Sequence, residues 1–96
     1  MAAYVILDVE VTDEALYAQY RQQVASLVAS HSGRHLANTG EADAMGGDWA
    51  PRRLVLIEFP DADQAKGFVN SLDTAELREM RAGCVGGRNV VVAPGL

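Results

Sequence analysis

From residue 3 to residue 11 the chain alternates in period two. Val5, Leu7 and Val9 share one face, and Tyr4, Ile6, Asp8 and Glu10 share the other. That alternation, in a run rich in branched side chains, predicts a strand. The period then changes to a helical one. Leu16, Tyr20, Val24, Leu27, Val28 and His31 fall on one helical face. Thr12 reads as the N-cap, and Asp13 and Glu14 stand where the helix dipole favours acids. A helix is predicted over residues 13–30, with Gly33 as its C-terminal cap glycine. Residues 35–45 read as a weaker strand interrupted at Thr39-Gly40, and residues 46–51 as a loop. The apolar run over residues 53–59 is the clearest strand, and Pro60 ends it. Asp61 with Gln64 makes a capping pair opening a second helix that stops near Ser71. Asp73 with Glu76 repeats the device and opens a short third helix to about Ala82. Gly83, Gly86 and Gly87 read as a turn, and residues 89–93 as a last strand.

The resulting order is β-α-β-β-α-β, with an extra short helix before the last strand. In a chain this short that is an α+β split-βαβ, ferredoxin-like plait. Right-handed crossovers then give the strand order 4-1-3-2 with antiparallel neighbours. Val55, Ile57 and Phe59 are expected to join Val5, Leu7 and Val9 beneath the helices. The other face carries Ile6, Leu54, Leu56 and two valines of the last strand. A half-covered sheet should be polar there. A second copy of the same sheet is the simplest cover, giving a homodimer through the sheet face.

Composition narrows the function. At 96 residues the chain is read as one domain. Its net charge is -5 and its only lysine is Lys66, with the arginines scattered, which disfavours a nucleic-acid partner. A single cysteine, Cys84, allows neither an intramolecular disulfide nor a thiolate zinc cage. No run approaches the roughly 20 apolar residues of a membrane span. The N-terminus lacks the basic region of a signal peptide. A cytoplasmic protein with no membrane partner is expected. Gly83-x-x-Gly86-Gly87 lacks the Lys-Ser/Thr of a phosphate loop, and no dinucleotide fingerprint occurs, so no cofactor is expected.

The chain carries Ala3-Tyr4-Val5-Ile6 through Thr12-Asp13, Tyr17-x-x-Tyr20, His31-Ser32-Gly33-Arg34, Gly47-Asp48-Trp49-x-Pro51-x-Arg53 and Glu58-Phe59-Pro60. Together, in this order and spacing, these segments resemble the domain of unknown function 1330 family. The resemblance spans essentially the whole chain. It implies a dimeric α/β barrel of two ferredoxin-like sheets packed face to face. The superfamily includes cofactor-free monooxygenases, isomerases and haem-binding proteins. The chain departs from the family pattern in having Asn38 where an arginine is common. It also has Ser71-Leu72-Asp73-Thr74-Ala75 where an aromatic-bearing segment is common.

The plait brings polar residues to two ends of the sheet. One end collects Asp8, Glu10, Arg52 or Arg53, Arg88, Trp49 and Tyr17. An acid, a fork-shaped arginine and aromatic walls suit a small polar organic ligand, and equally a structural ion pair at a dimer rim. Tyr17, Trp49, Arg53 and Asp8 are the candidate ligand-binding residues. The other end collects His31, His35, Glu58 and Tyr4. There a histidine with a half-buried carboxylate suits proton transfer, and His31, His35 and Glu58 are the candidate catalytic residues. The competing reading makes His31 a helix-end residue and Glu58 an interface charge. His31 and His35 are separated by Gly33, so their spacing is not a metal pair, and no metal is expected. Two functions follow. One is a homodimer that binds or transforms a small organic ligand, with isomerase- or monooxygenase-like chemistry. The other is a non-catalytic dimeric binding or scaffold module. A cavity beside Tyr17, Trp49 or His31 discriminates between them.

Overall fold

Residues 1–96 are described by a computed structural model. The elements are β1 Ala3–Val11, α1 Glu14–Ser30, β2 Arg34–Thr39, β3 Leu54–Phe59, α2 Ala62–Ser71, α3 Ala75–Cys84 and β4 Val85–Pro94. The strands form one antiparallel sheet in the order β2-β3-β1-β4, the expected plait read from its other edge.

Register follows the period-two pattern. Val5 lies opposite Ile57 and Val92, and Leu7 opposite Val55 and Val90. Val5, Leu7, Val9, Val55, Ile57 and Phe59 are all buried, so the helix face is the one expected. α2 supplies Phe68, whose ring lies 5.1 Å from that of Phe59. The opposite, open face carries an apolar row across all four strands: Val91, Ile6, Leu56 and Ala37 stand side by side. Only one β4 valine belongs to this face, not two, because Val90 and Val92 pair with residues of the helix face. Polar groups flank the row. Tyr4, Glu58 and Arg34 lie on one side, and Asp8 and Asn89 on the other.

Several boundaries differ from the sequence expectation, each for a local reason. The N-cap of α1 is Asp13 rather than Thr12. Its carboxylate accepts from Leu16 N at 3.0 Å, while Thr12 N donates instead to Cys84 O. Thr74 rather than Asp73 caps α3, accepting from Leu77 N at 3.2 Å. In both, the oxygen must stand three residues before the amide it satisfies. Asp61 caps α2 as expected, through Gln64 N. β2 ends at Thr39, the last residue paired to β3, where Thr39 Oγ1 accepts from Glu41 N and the chain turns away. β4 begins at Val85, directly after α3, so Gly86 and Gly87 are strand residues and not a turn. A Cβ on Gly86 would stand 2.5 Å from Glu10 Oε1, so this glycine lets β4 pass the irregular end of β1. At the end of α1, Ser32 takes the left-handed conformation, with φ 61°. Gly33 is needed for a different reason: the Phe59 ring lies against its backbone.

Candidate functional site

A cavity of about 490 Å³ separates the flank of α1 from the helix face of the sheet. Leu7, Val9, Val55 and Ile57 form its floor, and Phe68 and Leu72 close it from α2 and the residue after it. α1 contributes Tyr17, Tyr20, Val24 and, at the exposed rim, Ala18 and Ala25. Interiors of small domains are normally close-packed, and ligand sites fall in the range of about 300–1,000 Å³. The volume falls within that range.

Six lining residues are polar: Arg21, Gln22, His35, Asn38, Arg81 and Arg88. No carboxylate lines the cavity. Arg81 is fixed by two bonds, donating to Tyr20 Oη and to Leu72 O at 3.2 Å each. Arg88 has its pKa lowered by burial and then by the Arg81 charge beside it. On the opposite side His35, an exposed residue at the cavity rim, has its pKa lowered, first by desolvation and then by the Arg21 charge, which favours the neutral imidazole at pH 7. Tyr17 is held protonated by burial, partly opposed by the Arg53 charge and by Asn38. Asn38 Oδ1 is buried and has no hydrogen-bond partner. An orphaned acceptor at a cavity wall is suited to a ligand donor or an ordered water.

The first predicted end of the sheet is divided between two faces. Tyr17 lines the cavity, with the Arg53 guanidinium 5.3 Å from its ring centroid and bound beyond it to Glu14 at 3.1 Å. Arg88 lies opposite Val9 on the same face. Asp8 and Glu10 project to the open face instead. Asp8 accepts from Trp49 Nε1 at 2.7 Å and from Arg52 N at 3.0 Å, and Glu10 pairs with Arg52. Those bonds, Trp49 first, hold the Asp8 carboxyl below its ordinary pKa. Trp49 is 56% exposed and does not reach the cavity.

The second predicted end is divided in the same way. His35 lies opposite Ile57 and lines the cavity. Glu58 points to the open face, where it accepts from Arg34 Nε at 2.8 Å and Tyr4 Oη at 3.3 Å. His31 belongs to neither face. Its Nδ1 lies 2.8 Å from Leu27 O, and its ring packs edge-on to Phe68 over Gly67. Gly67 is what allows α2 to approach that ring. His31, His35 and Glu58 share one end of the strands, but strand parity puts His35 and Glu58 on opposite faces and His31 is the C-cap of α1.

Arg21 and Arg81 were not singled out in the sequence. Arg81 carried a usable signal, as a basic residue in the last turn of a short helix leading into a strand. Arg21 carried none, because nothing in a helical wheel shows which flank of α1 stands clear of the sheet.

Comparison with known proteins agrees with this architecture. A crystal structure of a protein of unknown function from Rhodopseudomonas palustris is similar at TM-score 0.70 and 14% identity, over 99% of this chain and 82% of that one. A dimeric protein of unknown function and ferredoxin-like fold from Bacteroides fragilis is similar at TM-score 0.56 and 15% identity, over 98% and 96%. An uncharacterized NIPSNAP-like domain protein from Burkholderia xenovorans is similar at 0.51 and 13%, over 99% and 84%. At these identities the likeness shows the fold. No curated protein matches the chain. The family model described as domain of unknown function (DUF1330) matches residues 2–96, and the chain therefore belongs to that family.

Proposed function

We propose that the protein binds a small organic ligand in the cavity between α1 and the sheet, as a homodimer joined through its open sheet faces. The cavity carries the reading. It is large for a 96-residue chain, has an apolar floor and brings a few polar groups to its walls. A scaffold whose only product was its interface would gain from filling that space. Of the residues expected to move protons, His35 is the one at the cavity wall. Acid–base chemistry on a bound ligand, with no bound cofactor, would run through its neutral imidazole.

The dimer rests on the row of Val91, Ile6, Leu56 and Ala37, a surface that a two-fold axis can match to itself. The Bacteroides fragilis protein of similar fold is dimeric.

A thermal-shift and ligand-observed NMR screen of small carboxylates and aromatics tests the site. Wild type should give hits, and Val24→Phe, which fills the cavity from α1, should lose them while keeping its fold. A wild type with no hits, or hits that survive Val24→Phe, would remove this reading.

A further inference from the structure

We infer that the cavity takes an organic monoanion, a carboxylate on a small apolar body, with the carboxylate held by Arg88 and Arg81. The inference rests on the cavity being a ligand site, and it names the class of ligand.

The argument is one of charge pairing. The chain has seven arginines. Arg34, Arg52, Arg53 and Arg78 each form an ion pair with a carboxylate. The three that form none are Arg21, Arg81 and Arg88, and all three line this cavity. The chain also has thirteen acidic residues, and not one lines it. In a protein of net charge -5 the cavity lining is thus a local basic site, and Asp73, the acid that acts on Arg88, is itself paired with Arg78.

Arg81 and Arg88 make the stronger pole. Arg81 is held in place by Tyr20 Oη and Leu72 O, so little order is lost when it binds. Arg88 borders the same shallow outer pocket as Arg81, beside Arg78 and Gly87, so the two guanidiniums are neighbours and their charges act on each other. Two neighbouring guanidiniums repel until an anion sits between them, and their planar forks match a carboxylate. Arg21 lies across the sheet beside His35, on the β2 side. β2 and β4 are separated by three strand spacings, about 14 Å, so a small ligand engages one pole. The floor of Leu7, Val9, Val55 and Ile57 leaves the rest of the ligand apolar contact only.

Calorimetric titration of benzoate, phenylacetate and hexanoate, each against its own neutral amide, tests the inference, with inorganic phosphate as a further probe. Each carboxylate that binds should do so about tenfold or more tightly than its amide, and phosphate should not bind comparably. Arg88→Met, its fold checked by circular dichroism, should weaken the carboxylates about 10- to 100-fold and leave the amides unchanged. Arg88→Lys should recover part of the loss, since it restores charge without the fork. Arg81→Met should act in the same direction. Amides as tight as acids, or an Arg88→Met variant with wild-type carboxylate affinity, would overturn the charge assignment and leave the cavity reading standing. Phosphate bound as tightly as the carboxylates would overturn the apolar body. A wild type that binds neither acids nor amides would overturn both readings.

Discussion

Trp49 Nε1 donates to Asp8 Oδ2 at 2.7 Å, joining residues 41 apart in sequence. Asp8 Oδ1 accepts from Arg52 N, so one carboxylate fastens the end of the β2–β3 connection onto the open face of β1. The Asp8 pKa is lowered from its ordinary 3.8, first by the Trp49 bond and then by the Arg52 amide. A lowered acid contributes stability that is full above about pH 3.8 and is lost as pH falls through the folded value. Asp8→Ala should cost about 1 kcal/mol at neutral pH, read from urea midpoints. Trp49 emission should shift below pH 3.8 in wild type and already be shifted in the variant at pH 7. Identical emission in the two proteins at pH 7 would refute the contact.

The same residues show what could be read from the sequence. Alternation in residues 3–11 and 53–59 is enough for the buried face, because one slip in register would expose Val5, Leu7 and Val9 together, and strand order follows from the order of elements and right-handed crossovers. The charged sites needed parity as well as position. Asp8 and Arg53 lie at one end of the sheet, yet Asp8 faces the open side and Arg53 reaches Tyr17 and Glu14. Likewise Arg34, not His35, is the partner of Glu58. A cavity beside Tyr17 is an expectation of the sequence, but its size and its arginine lining are not legible there, since they depend on how far α1 stands from the sheet.

Ser32 and Gly33 should respond to substitution with opposite signs. Ser32 has φ 61°, in the left-handed region where a Cβ costs roughly 1–2 kcal/mol. Ser32→Gly should therefore raise stability by about 1 kcal/mol. A Cβ at Gly33 would stand 2.7 Å from Phe59 Cδ1, and Phe59 is 1% exposed, so its ring has nowhere to turn. Gly33→Ala should destabilise by about 1–3 kcal/mol. Equilibrium urea unfolding of the two variants checks both signs. A neutral Gly33→Ala would mean that the strand start yields at no cost.

His35 should give the fold a pH dependence near neutrality. Its pKa is lowered from 6.5, by burial first and by Arg21 second. Between 6.5 and the folded value the unfolded chain takes up a proton that the folded chain does not. The His35 contribution is therefore full above about pH 6.5 and is lost as pH falls through the folded value. His35→Gln should lose less stability than wild type between pH 7.5 and pH 5, measured by urea midpoints in matched buffers of about 0.1 M ionic strength. Parallel curves for the two proteins would show that His35 does not titrate differently on unfolding.

Val91 offers the cleanest test of the proposed dimer. Its side chain is 56% exposed on the open face, directly opposite Ile6, so the isolated chain makes little use of it. In a face-to-face pair it would be covered, and a two-fold axis would cover it twice. Val91→Lys then places two ammonium groups in an apolar interface, where an unpaired charge costs several kcal/mol. Sedimentation at micromolar concentration should give wild type a mass near twice 10.3 kDa and the variant a mass near 10.3 kDa. The variant's circular dichroism should be unchanged, because lysine on an exposed strand face disturbs no core contact. A monomeric wild type, or a variant that remains dimeric, would refute the sheet-face interface.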